Sequence, residues 1–162
     1  GGMTIFDSTT LSAAGITAGS ATGAAAETRS NIIEATQAAE DAVLTPKDAG
    51  AFPHALRAAL AARIANEAGK NDLAERYLAG AGDMAALADP SHDGEDEGLA
   101  LVVAFADKAA NHTRDILAED ISKLQAAGVE DADIVRLCEL VAFVAYQLRV
   151  VAGLRLMKGA AA

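Results

Sequence analysis

Cysteine, proline, aromatic residues and positive charge are all scarce in this chain, and each scarcity excludes something. A single cysteine, Cys138, in 162 residues rules out an intramolecular disulfide and any CxxC pair, redox or zinc-binding, and gives no sign of export. Tryptophan is absent and aromatics make up 4%, a composition that disfavours a β-sandwich. Three prolines occur and none follows Pro90, so long uninterrupted helices are allowed in the second half. Lysine and arginine number 13 against 23 acidic residues, for a net charge of −10. With no basic stripe to offset it, that charge disfavours nucleic acid and anionic lipid as partners. No apolar run nears the roughly 20 residues that span a bilayer. No basic-then-apolar leader follows Met3. The expected location is therefore cytoplasmic. No two histidines stand four apart, so no helix-borne metal site is expected. Nothing in the chain calls for a cofactor.

What the chain does have is 52% hydrophobic residues, alanine foremost, which favours helices packed closely through small side chains. Residues 1–26 read as an appended Gly1–Gly2 followed by a flexible arm rich in Ser, Thr, Gly and Ala, mobile or ordered only against a partner subunit. Residues 27–158 read as one helical domain and 159–162 as a tail. Apolar spacing predicts helices over 27–44, 53–68 and 72–79, the second opened by Pro53 as first helical residue and the third capped by Asn71. One or two turns follow over 83–88, then an acidic loop, DPSHDGEDEG. Helices follow over 98–110, from the turn at 111–114 to about 127, and from 130 to about 157. No strand pattern emerges. The fold class is all-α, a helical bundle of about six helices.

The longest apolar block is 131–157, DADIVRLCELVAFVAYQLRVVAGLRLM. At 100° per residue it carries Cys138, Ala142, Ala145 and Arg149 on one stripe, with apolar residues nearly all round, so burial on most sides is expected. Arg136, Glu139, Gln147 and Arg149 then need polar partners. Phe143, Tyr146 and Arg149 are the expected subunit contact, with Arg149 facing Glu139 of a neighbour. Cys138, beside Glu139, is either a lone peroxidatic thiol or, the preferred reading, a small core hydrophobe. His112 is either a proton shuttle or a turn-capping surface residue, and His54 lies at the surface or an interface. Asp89, Ser91, Asp93 and Gly94 mimic the start of a calcium loop. The twelfth position, however, is Ala100 rather than a bidentate Glu, which leaves a solvated acidic loop.

Two passages resemble the alkylhydroperoxidase D and carboxymuconolactone decarboxylase superfamily, in a divergent peroxidase-related branch. One is TPKDAGAFPHALRAALAARIANEAGKNDLAERYL, at 45–78. The other is the helical hairpin within 107–154, of which LVAFVAYQLRV is the most specific part. The resemblance covers 44–157. It implies an all-α fold that assembles into dimers, trimers or hexamers. It also implies a site with a Glu, a CxxC pair and a His on one hairpin. Those groups fall at Ala58, Lys70, Leu73 and Tyr77, so none of them is present. Dithiol peroxide reduction is thereby excluded. Two classes of function follow: a single-thiol or non-redox activity on a small-molecule ligand, or a non-catalytic oligomeric protein that keeps the fold.

Overall fold

The stretch HALRAALAARIANE becomes the centre of the molecule, because alanine lets neighbouring backbones come close on every side. The computed structural model describes residues 3–161. Among these, eight α-helices and three short 3-10 segments form, with no strand. The helices are α1 (Thr9–Ala13), α2 (Ala21–Thr28), α3 (Ser30–Leu44), α4 (His54–Glu67), α5 (Asn71–Leu78), α6 (Ala100–Asn111), α7 (Ala118–Ala126) and α8 (Asp131–Ala161). Helix α4 is buried at every position from Leu56 to Ala65. It packs against α3, α5, α6, α8 and the 3-10 segment Gly82–Ala88. Leu60, Leu73, Leu87, Val103, Leu137 and Val144 fill the core around it.

The expectation of about six helices holds for the domain, and the two extra helices lie in the arm. That arm is not the loose segment its composition implied. Ser8 accepts from the amide of Leu11, and Ser20 from that of Gly23, so these serines are N-caps rather than coil. Leu11, Ala14 and Ile16 bury themselves with Ile33 of α3 and Val151 of α8 in a second small core. Gly1, Gly2 and Ala162 lie outside the described residues. Residues 159–161 continue α8 instead of forming a separate tail.

Helix starts differ in detail from the sequence expectation. Pro53 is the extended N-cap of α4 rather than its first helical residue, with φ −57° and ψ 159°. Asn71 is the first residue of α5, and Lys70 holds the cap position. The predicted helix over 27–44 is split at Arg29, whose backbone leaves the helical region and separates α2 from α3.

Two arginines of α4 are 3% and 2% exposed, and both hold connectors in place. Arg57 donates to the carbonyls of Val43, Ala49 and Phe52, which fixes the α3–α4 link. Gly50 turns that link with φ +59°, and a side chain there would collide with Asp133. Arg63 donates to the carbonyls of Leu87, Asp89, Pro90 and His92 and makes a two-pronged pair with Asp107 of α6, at 2.7 and 2.9 Å. The start of the acidic 89–98 loop is thus wrapped around a guanidinium.

Helix α8 is long and apolar enough, by length and composition, to cross a bilayer, contrary to the expectation from apolar runs. It packs against α1, α2, α3, α4, α6 and α7 as a member of the bundle. It is not buried all round. Leu137, Leu140, Val144, Gln147 and Val151 face inward, whereas Val135, Tyr146, Leu156 and Met157 are exposed.

Removing the Arg63 guanidinium leaves Asp107 and four carbonyls short of their donor. Arg63→Met is expected to lower the unfolding free energy by about 3–5 kcal/mol in urea titrations. Amides of 87–92 should then lose hydrogen-exchange protection first. Next to this pair, the Glu67 carboxyl is pushed up to about 7 by burial and then by the Asp107 charge, against the pull of Arg63. Its Oε1 is buried without a partner. A carboxyl raised in the folded state binds more protons folded than unfolded. Its contribution is full below its ordinary value of 4.5 and is lost as the pH rises to about 7. Urea titrations of Glu67→Gln should therefore lack the decline in stability that the wild type shows over that interval.

Candidate functional site

Helix α3 carries Glu40 on its inward face, in register with Ile33 and Thr36, the other buried residues of that helix. A glutamate placed there must be desolvated, and it is 6% exposed. Two donors meet it, the Thr9 hydroxyl at 2.8 Å and the Gln37 side-chain amide at 2.6 Å. Both donate to Oε2. The other oxygen, Oε1, is buried and has no partner, and among the described residues no cation pairs with the carboxylate. A buried carboxylate oxygen without a donor is costly, and natural structures keep such groups mainly where they do something.

Glu40 lines a cavity of about 140 Å³ together with Thr9, His54, Ala58, Arg76 and Tyr77. Glu40, Thr9, Ala58 and Tyr77 are buried and form its floor, whereas His54 and Arg76 are exposed at its mouth. His54 Nε2 is 2.8 Å from the Pro46 carbonyl, which orients the ring. Arg76 donates to Ser12 Oγ at 2.9 Å and to the Asp7 carbonyl at 2.7 Å, so the folded arm closes one side of the site.

The floor continues into the core as a polar chain. The Tyr77 hydroxyl donates to Gln147 Oε1, and Gln147 Nε2 donates to Thr10 Oγ1 at 3.3 Å. Gln147 is fully buried on α8. This is the polar partner that the apolar 131–157 block required for that residue. Burial, followed by the charge of Glu40, pushes the Tyr77 hydroxyl well above its ordinary range, so it stays a neutral donor. The site therefore holds an acceptor oxygen that nothing occupies, beside a Tyr77 hydroxyl whose proton is committed to Gln147.

Of the four positions singled out by resemblance, Ala58 and Tyr77 meet at this cavity. Leu73 is 1% exposed in the apolar core and Lys70 sits at the start of α5, so neither joins them. Glu40, Thr9 and Arg76 were not singled out by the sequence. The one signal for Glu40 is an acidic residue on the apolar face of α3, in step with Ile33 and Thr36.

The remaining candidates lie elsewhere. Cys138 is exposed rather than a core hydrophobe. It lines an open groove of about 480 Å³ with Phe105, Ile116, Ile121, Ala142 and Arg149. Partial burial in that apolar groove, and then Glu139, raise its thiol, which leaves less thiolate for attack on peroxide. His112 ends α6 with its ring exposed, 4.0 Å from Asp115 and remote in sequence from the Glu40 cavity. A cleft of about 380 Å³ between α3 and α8 contains Arg57 and Arg136. Arg57 is spent on backbone carbonyls, and Arg136 pairs with Asp133 and Asp48.

The Tyr77–Gln147 contact has two measurable consequences. Tyr77→Phe leaves the buried amide of Gln147 without its donor and is expected to cost about 1–3 kcal/mol in chemical denaturation. A tyrosine raised in the folded state contributes stability that is full below its unfolded value of about 10 and is lost at higher pH. The alkaline limb of the wild-type stability profile should therefore be steeper than that of Tyr77→Phe. No protein-family model, curated protein or solved structure matches the chain, so the assignment of a site to the Glu40 cavity stands on its geometry.

Proposed function

We propose that this chain is a non-redox member of the alkylhydroperoxidase D and carboxymuconolactone decarboxylase type that takes a small polar molecule into the Glu40 cavity. The unpartnered, buried Oε1 of Glu40 carries this reading. A ligand with an N–H, O–H or acidified C–H would supply the missing donor, and Glu40 would accept its hydrogen bond or proton. The volume admits a molecule of a few heavy atoms. His54 and Arg76 at the mouth would favour a ligand that also carries a carboxylate or carbonyl oxygen.

The reading has support beyond that oxygen. Ala58 and Tyr77, two of the positions expected from the resemblance, line the same cavity. Chemistry at Cys138 is disfavoured by its raised thiol and by the want of a second cysteine. The exposed stripe of α8 favours the other reading, a non-catalytic assembly protein.

Amide and methyl NMR shifts, titrated with small hydroxy acids, amides and amidines, separate the two. The cavity reading expects at least one of these to perturb Thr9, Ala58 and Tyr77, and Glu40→Gln to weaken that binding by tenfold or more, on the order of 1.4 kcal/mol. Silence of the whole panel in the folded wild type would sink it. Peroxide consumption with a thiol reductant should stay at background in both wild type and Cys138→Ser.

A further inference from the structure

The Glu40 cavity carries opposite charges at its floor and its mouth, and neither has a counter-ion. At the floor, the buried carboxylate meets a hydroxyl and an amide but, among the described residues, no cation. The amide is itself shared. Gln37 Nε2 donates to Glu40 at 2.6 Å and to Asp41 at 3.0 Å, so two acids draw on one neutral group. The Tyr77 hydroxyl is committed to Gln147, and Glu40 Oε1 is left with no donor. At the mouth, Arg76 donates to Ser12 Oγ and to the Asp7 carbonyl, both neutral, and pairs with no carboxylate among the described residues. A guanidinium has five N–H groups, so Arg76 keeps donors over for a ligand.

A neutral ligand would answer half of this. A hydroxyl or amide N–H gives Oε1 its hydrogen bond but leaves the buried charge without a counter-charge, which is the more expensive lack. An ammonium supplies the N–H and the charge together, and a charge-assisted bond is roughly twice as strong as a neutral one. Arg76, for its part, calls for a carboxylate. The space between them limits how far apart the two groups can be. A cavity of about 140 Å³ takes a few heavy atoms, so one or two carbons can separate ammonium from carboxylate. Leu44, Ala58 and Gly80 wall that space, and a Cβ added at Gly80 would stand 3.3 Å from that of Ala58. Such a fit leaves room for a hydrogen or a methyl on the connecting carbon, and none for a long side chain.

We infer that the ligand of this cavity is a small zwitterionic amino acid, the size of glycine, alanine or β-alanine, with its ammonium on Glu40 Oε1 and its carboxylate toward Arg76. The inference rests on the Glu40 cavity being the binding site and narrows its ligand from any small polar donor to one that carries both charges.

Isothermal titration calorimetry of the full wild-type chain tests this with three matched probes. Glycine carries both charges, glycolate has a hydroxyl in place of the ammonium, and methylamine lacks the carboxylate. Glycine is expected to bind about tenfold or more tighter than either of the others, and leucine, too large for the cavity, is expected not to bind. Glu40→Gln keeps the side chain's shape and removes its charge. With circular dichroism confirming its fold, that variant should bring glycine down to the level of glycolate, a selective loss that damage to the fold would not produce. Glycolate or methylamine binding the wild type as tightly as glycine overturns the zwitterion and leaves the cavity reading standing. Leucine binding as tightly as glycine overturns it by placing the site outside the cavity. Silence toward all three small probes overturns it as well, and silence toward hydroxy acids, amides and amidines besides would take the cavity reading with it.

Discussion

Two guanidinium groups buried on one alanine-rich helix hold the rest of the fold in place. An arginine can be buried only if its N–H groups find acceptors, and Arg57 finds them in the carbonyls of the α3–α4 link, Arg63 in those of residues 87–92 on the way to α6. Those carbonyls would otherwise lie beside the core with no helix to satisfy them. One set of interactions therefore pays both desolvation costs. It also explains how α4 can be buried over ten residues while carrying two charges.

That arrangement places the candidate site. Fixing the α3–α4 connector through Arg57 sets α3 against α4, so that Glu40 faces Ala58 and the α5 residue Tyr77 across a small cavity. The folded arm adds Thr9 to Glu40 and Thr10 to Gln147, and Arg76 ties the arm back to α5. Polar residues from four helices, far apart in the chain, converge around this cavity and the core behind it. They are satisfied everywhere except at Glu40 Oε1, and the open acceptor stands next to the cavity rather than in the packed core.

Helix α8 serves two environments along one length. Its inward side contributes Leu140, Val144 and Gln147 to the core, and its outward side shows Val135, Tyr146, Leu156 and Met157. An apolar composition on both sides reads in the sequence as a helix buried all round. The tertiary structure separates the two faces, because the bundle is not thick enough to cover the far side with its own helices.

The all-helical class, most helix positions and the breaks at the glycines and prolines were legible in the sequence, since they depend on local spacing and backbone preference. The need of Gln147 for a polar partner followed from helical periodicity once the faces were drawn, whereas the exposure of Arg149 and Tyr146 did not. The ordered arm was not legible. Its serines and threonines are polar by composition, and only contact with α3 and α8 turns them into caps and network members. The burial of Glu40, Arg57 and Arg63 and the exposure of Cys138 were likewise hidden. A one-dimensional pattern says which residues share a face, but which face meets a neighbour is decided by how whole helices pack, and so is whether a charge on it finds its partner.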